Sequence, residues 1–271
     1  MRYNPRVHSA EIEQYRDKKW RREEHLRLKT ANDVEEMIND LGFCLTLTDS
    51  RTNFPSVYIG VCGRRDVVSP KNVQKDEECS LAWVLKDKVM RRGNVYYSKL
   101  SKGRATFVSR RMIPYFHAIY GIPRSKEPEK LSPGARRILK VLRKEWEAAT
   151  SDLREDAGFE DRKSLTNAIE ELQKSMKVVA YEVVYQPRFS YLWTLAEARF
   201  PEELAVRVSR EKALVEISRA YLHAYGMTMK SEFSRAFGLD RKEAGKAFQR
   251  LVDEECAIRV DEGVYVLPEL I

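Results

Sequence analysis

The sequence predicts a mainly α protein of α+β class, built from tandem winged helix-turn-helix units, and three observations carry that prediction. The first is an internal repeat. Ser151-Asp152-Leu153 and Gly158 recur as Ser231-Glu232-Phe233 and Gly238, an offset of 80 residues. Asp161-Arg162-Lys163 and Ala168-Ile169-x-x-Leu172 recur as Asp240-Arg241-Lys242 and Ala247-Phe248-x-x-Leu251 at an offset of 79, so one residue drops out of the loop. A self-similar segment constrains architecture more than a single motif does. The second observation is order: each copy places helical patterns before two short β-prone runs, the succession of a winged helix-turn-helix. The third is composition. The 271 residues are 43% hydrophobic and 33% charged, which suits folded globular units, and no run approaches the roughly 18–20 apolar residues of a membrane span.

Element by element, Ser9 to Leu28 reads as a densely charged helix with Ile12, Tyr15, Trp20 and Leu26 as anchors. Asn32 to Leu41 is a second helix, with Val34, Met37, Ile38 and Leu41 on one face, stopped by Gly42. Phe43 to Thr48 is a short strand. Arg51 to Pro70, punctuated by Pro55, Gly60, Gly63 and Pro70, reads as irregular. Leu81 to Met90 is a helix closed by Gly93. Asn94 to Ser109 is a hairpin around Ser101-Lys102-Gly103-Arg104, and Ser109 opens a helix over Arg110–Tyr120. Gly121 to Pro133 is a linker rich in proline and charge.

Beyond it, a helix runs from Pro133 to Trp146 with Ile138, Leu139, Leu142 and Trp146 on one side. Ser151 caps a short helix, Glu160 to Ser175 is the next, and Lys177–Tyr185 and Phe189–Leu195 flank the tip Gln186-Pro187-Arg188. Lys212–Tyr225 opens the second copy, which closes with Ala257–Val260 and Val264–Leu267 around Asp261-Glu262-Gly263. The expected domains are 1–122, carrying the basic hairpin, then 131–200 and 205–271.

Charge narrows the partner. Lys plus Arg exceed Asp plus Glu by 49 to 41, a net +8. Between Lys86 and Arg111 nine basic residues stand against the single Asp87, so this segment holds the whole excess. A confined basic excess points to a polyanion, and the bland alternative is a solvated face. In a helix-turn-helix the second helix presents its first turn to the major groove. Arg162, Lys163, Arg241 and Lys242 stand there, residue types that meet guanine edges and phosphates. The competing reading has these helices capped by Asp161 and Asp240, with the basic residues in surface ion pairs. On the 94–109 hairpin, Lys99, Lys102 and Arg104 are candidate phosphate contacts, and Tyr96, Tyr97 and Phe107 candidate stacking groups. Arg110, Arg111 and Arg188 complete the expected DNA-binding set.

Chemistry is sparsely signalled. Cys44, Cys62, Cys79 and Cys256 show no Cys-x-x-Cys pairing, and His8, His25, His117 and His223 show no metal-ligand spacing, so neither metal nor cofactor is expected. Phosphate-loop, dinucleotide and serine-elbow motifs are absent. Asp49, after the 43–48 strand, is the one carboxylate placed to act as a general base on water, and more commonly such a residue starts a turn. The N-terminus lacks an apolar secretory core. A cytoplasmic, nucleoid-associated monomer with duplex DNA, damaged DNA included, as partner and no membrane contact is the expectation.

Leu41-Gly42-Phe43-Cys44, Val95-Tyr96-Tyr97-Ser98-Lys99-Leu100, Arg104 to Ser109 with Pro114-Tyr115-Phe116, and the two repeats behind them resemble the winged-helix DNA-binding family related to the interstrand-crosslink DNA glycosylases AlkZ and YcaQ. The resemblance covers about Asp33 to Leu267. It implies three tandem winged helices forming a curved surface on duplex DNA, and hence a modified winged helix in the first third. Active members carry a Gln-apolar-Gln or Gln-apolar-Asp motif that positions the hydrolytic water. Here Gln14, Gln74, Gln173, Gln186 and Gln249 are the only glutamines, and none forms it. By chain order its place is Cys44 to Asp49. Two readings stand: a divergent, metal-independent DNA glycosylase using Asp49, or DNA binding without the chemistry, as in a transcription regulator or chromatin-associated protein. On the enzymatic reading, Asp49→Asn abolishes formation of abasic sites in DNA carrying alkylated or crosslinked purines. Undiminished product from the variant removes Asp49 from that role.

Overall fold

A chain that folds a helix-turn-helix must reverse sharply at the end of its first helix, and this one does so three times in the same way. The computed structural model describes residues 9–48 and 54–271. Helix α1 (Ser9–Lys19) leads to α2 (Ala31–Leu41), β1 (Phe43–Leu45), α3 (Val57–Cys62), α4 (Glu77–Arg92), β2 (Val95–Lys99) and β3 (Ala105–Ser109). Then α5 (Ile113–Tyr120) and α6 (Glu127–Lys130) precede α7 (Pro133–Glu145), β4 (Glu147–Ala149), α8 (Thr150–Asp156), α9 (Arg162–Lys174), β5 (Val178–Val184) and β6 (Ser190–Leu195). Last come α10 (Ala196–Arg199), α11 (Pro201–Ala205), α12 (Arg210–Tyr225), β7 (Met227–Met229), α13 (Lys230–Phe237), α14 (Arg241–Asp253), β8 (Ile258–Asp261) and β9 (Val264–Val266). Each set of three strands forms an antiparallel sheet of one order: β1-β3-β2, β4-β6-β5 and β7-β9-β8. Helix, strand, two helices and a hairpin on a sheet of order 1-3-2 is the winged helix-turn-helix, present three times.

The reversal after α2, α7 and α12 falls on Gly42 (φ 86°), Trp146 (φ 67°) and Gly226 (φ 70°). Each N–H donates four residues back, to the carbonyls of Ile38, Leu142 and Leu222. Glycine adopts this left-handed conformation freely, and any other residue does so at about 1–2 kcal/mol. Trp146 therefore does not continue the buried face of α7. It stands 71% exposed, which corrects the expectation that it packs with Ile138, Leu139 and Leu142.

Two cores result. Phe43 of β1 packs against Phe54, Phe116, Tyr221 and Phe237 with ring centroids 5.3–6.4 Å apart, so the first and third units share one interior. The second unit has its own, around Ile138, Leu142, Leu165, Ile169 and Trp193. The repeat is legible in both: Leu153 and Phe233, Ile169 and Phe248, and Leu172 and Leu251 are buried at matching positions.

Several expected elements are corrected. The first helix ends at Lys19: Trp20 N still donates to Arg16 O at 2.7 Å, Arg21 turns the chain away at φ 58°, and the buried Trp20 donates its indole N–H to Ala224 O at 2.6 Å. Within the stretch read as irregular, Ser56 caps α3 through Ile59 N at 3.1 Å, and every residue of that helix is buried. Helix α8 begins at Thr150, and Ser151 bonds its neighbour Asp152 instead of capping. The strand after α2 ends at Leu45, and β4 and β7 were not expected. Among the described residues no helix is long and apolar enough to cross a membrane.

Phe237→Ala is expected to lower the free energy of unfolding by about 3–5 kcal/mol, the usual effect of emptying a buried aromatic site. Trp146→Gly is expected to change it by less than about 1 kcal/mol, since relief of the left-handed strain offsets lost contacts. Chemical denaturation followed by circular dichroism checks both.

Candidate nucleic-acid interface

Helices α9 and α14 are the second helices of the helix-turn-helix pairs in the second and third units. Asp161 caps α9 by accepting from Ser164 N at 2.8 Å and from Ser164 Oγ at 2.6 Å, and the hydroxyl bond is the main reason its carboxyl lies below the ordinary carboxylate range. Asp240 caps α14 through Lys242 N at 2.7 Å and Glu243 N at 3.2 Å. Both acids are turned to the helix backbone. Arg162, Lys163, Arg241 and Lys242 are exposed, and none forms an ion pair among the described residues. The expected alternative, capping accompanied by surface ion pairs, is met only in its first half. The first unit differs: its corresponding helix, α4, is capped by Asp76 and opens with Glu77 and Glu78, a poor surface for phosphate.

The basic segment behaves unlike its local charge. Lys86 is fully buried, 2.8 Å from Asp87 Oδ1. Arg91 pairs with Glu182, Lys99 with Glu170, Arg92 with Glu35 at 3.5 Å, and Arg110 with Glu203 at 3.2 Å. Arg111 donates to the carbonyls of Asn39 and Asp40 at 3.1 and 3.3 Å, satisfying the end of α2. The Arg104 guanidinium lies 5.8 Å from the Phe54 ring centre. Lys102, at the hairpin tip, is exposed without an ion pair among the described residues. Five of its nine cations, Arg91, Arg92, Lys99, Arg110 and Arg111, thus meet acids or carbonyls of other elements, while Lys88, like Lys102, is exposed without an ion pair among the described residues. The hairpin arms are also structural. Tyr96 and Phe107 are fully buried, and Tyr97 packs on Phe107 at 4.9 Å.

The predicted residues do not form one patch. The tip of the hairpin rests against α9 and α13, and Lys99 reaches Glu170 near the C-terminal end of α9. Arg162 and Lys163 stand at the opposite end, about 11–12 Å from Glu170 along the helix at 1.5 Å per residue. Arg188 lies exposed at the tip of the β5–β6 wing.

A second arrangement was not anticipated. The Lys86 ammonium donates to Tyr191 OH at 2.8 Å and lies 4.0 Å from the Trp83 ring centre. Asp87 accepts from Tyr185 OH, and that phenol is pushed up to about 12, first by burial and then by the carboxylate. The wing of the second unit is thereby fastened to α4 of the first. Only the alternation Phe189, Tyr191, Trp193 hinted at it, and alternation alone says strand, not partner.

Asp49 lies outside the described residues, as does His8. Up to that point β1 is buried, Thr46 N donates to Ala105 O at 3.0 Å, and Thr48 Oγ1 contacts Ser56 Oγ at 3.2 Å. Among the described residues no group of three or more His, Cys, Asp or Glu is arranged to hold a metal ion.

Three winged helices in tandem, two of them with exposed cations on the first turn of the second helix of the helix-turn-helix pair, define a protein of the tandem winged-helix class. Residues 28–238 match the AlkZ-related family, and the chain belongs to it. Its fold is similar to that of the Streptomyces sahachiroi DNA glycosylase AlkZ, with a TM-score of 0.60 and 14% sequence identity, over 99% of this chain and 71% of that one. No curated protein matches the sequence.

Asp87→Asn leaves Lys86 charged and unpaired in the interior, and is expected to lower unfolding free energy by about 3–5 kcal/mol. Lys86→Met likewise strips the buried Asp87 of its counter-ion, so the double substitution Lys86→Met, Asp87→Asn, which removes both charges, is expected to be far milder than either alone in the same denaturation experiment. A double variant as damaging as the two single losses combined would show that packing, not charge pairing, holds the junction.

Proposed function

We propose that this protein binds duplex DNA, with the first turns of α9 and α14 as its principal contacts and Lys102 and Arg188 as further phosphate contacts. One observation carries the reading. Arg162 and Lys163 correspond through the internal repeat to Arg241 and Lys242, and all four are exposed and unpaired among the described residues. Cations held at equivalent places on two helices, with their neighbouring carboxylates turned inward as caps, suit a repeating array of phosphates. Membership of the AlkZ-related family supports the same partner. The family's Gln-apolar-Gln or Gln-apolar-Asp motif has no counterpart in Cys44 to Asp49, so binding is the function this geometry supports, and a glycosylase reading would rest on Asp49 alone.

The test is the salt dependence of affinity for a 20-base-pair duplex, read by fluorescence anisotropy. Each phosphate contact contributes about 0.9 to the slope of log affinity against log salt. The pair Arg162→Ala, Lys163→Ala is expected to weaken binding and lower that slope by about 2. Lys99→Ala and Arg110→Ala, whose cations face Glu170 and Glu203, are expected to leave the slope nearly unchanged. The opposite pattern would return the main contact to the 86–111 segment, and a flat salt response in the parent protein would sink DNA binding.

A further inference from the structure

The wing of the second unit has what the hairpin of the first lacks. Its tip reads Tyr185-Gln186-Pro187-Arg188-Phe189, with Tyr185 53% and Phe189 51% exposed. The two rings meet edge to face at 5.7 Å, and Phe189 meets Tyr191 at 5.3 Å and 82°. Both outer residues are thus about half exposed, and each packs against a neighbouring ring. Arg188, between them in sequence, is exposed and forms no ion pair among the described residues.

This tip is braced before any ligand arrives. Tyr185 donates to Asp87, Lys86 donates to Tyr191, and Arg91 forks onto Glu182 lower on the wing. Little ordering is left to be lost on binding. Exposed aromatic faces, a proline and an unpaired guanidinium on a rigid hairpin match the chemistry of a nucleotide: ring faces for a base, a cation for the phosphate beside it. In an intact duplex each base face is already stacked, and opening a step costs about what an aromatic contact returns. At an unpaired or bulged base that opening is already made.

We propose that the β5–β6 wing tip is a wedge that stacks Phe189 on the exposed base at a discontinuity in duplex DNA, with Tyr185 braced edge to face beside it and Arg188 on the flanking phosphate. The inference rests on the DNA-binding reading and narrows its substrate to distorted duplexes.

The experiment compares the full chain on a 20-base-pair duplex and on the same duplex with one bulged 2-aminopurine. The parent is expected to bind the bulged DNA at least about fivefold more tightly, the lower end for one base–aromatic stack, and to quench the 2-aminopurine. Phe189→Ala is expected to bring the affinity ratio close to one and remove the quenching. Phe189→Trp, which keeps an aromatic face, is expected to retain both. Phe189 is half exposed, so these substitutions leave the core intact, and circular dichroism confirms it. Duplex binding with no preference for the bulge, or a preference that survives Phe189→Ala, overturns the wedge alone. Failure to bind either DNA overturns the wedge together with the DNA-binding reading.

Discussion

The aromatic cluster around Phe43 is the contact on which the arrangement of the units depends. Phe43 and Phe116 come from the first unit and the helix that follows it, Tyr221 and Phe237 from the third, and Phe54 lies among them. Such pairs contribute about 0.5–1.5 kcal/mol each beyond the area they bury. The first helix of the third unit thus completes the interior of the first, although about 170 residues separate Phe43 from α12. Helix α1 fastens the same joint from outside. Tyr15 donates to His223 O, Arg16 to Tyr225 O and Met227 O, and Lys19 to Asp40. Against burial, which alone would raise it, bonds from His223 and Lys19 draw the Asp40 carboxyl down to about 2.

The second unit is held differently. It has a core of its own, entered by Met90 of α4, while Met176, Val179 and Phe200 cross into the other. Its remaining attachments are largely charged: Lys86 and Arg91 of α4 to the wing, Lys99 of the hairpin to α9, and Glu127 to Arg143 and Lys177. Ion pairs of this kind add modestly to stability where they are exposed and fix geometry where they are buried. Cations committed to joining units are not available to a ligand, which is why the local count of charge along this stretch overstates the cations it offers at the surface.

Legibility followed chemistry that acts over a few residues. Gly42 and Gly93 end helices as expected, Asp161 and Asp240 cap them, and the repeat aligned two units with one residue dropped in the loop. The missed elements lack a local signal. Helix α3 is buried on all sides, so it has no amphipathic period, and Gly60 within it reads as a break. Strands β4 and β7 have three residues each, too few to show alternation. Trp146 looked like core because helical spacing continues to it, whereas the turn it occupies points it outward.

The sequence alone determined the class of fold, the repeat, and the placing of Arg162, Lys163, Arg241 and Lys242 on first turns, because caps, periodicity and turn residues act between neighbours along the chain. Tertiary structure alone decided which charges face outward and which aromatic groups are exposed. Arg91 meets an acid 91 residues away and Lys99 one 71 residues away. Tyr96 and Phe107 vanish into the interior, while Tyr185 and Phe189 stay at the surface. A local count of charge or rings cannot register a partner that only folding brings within reach.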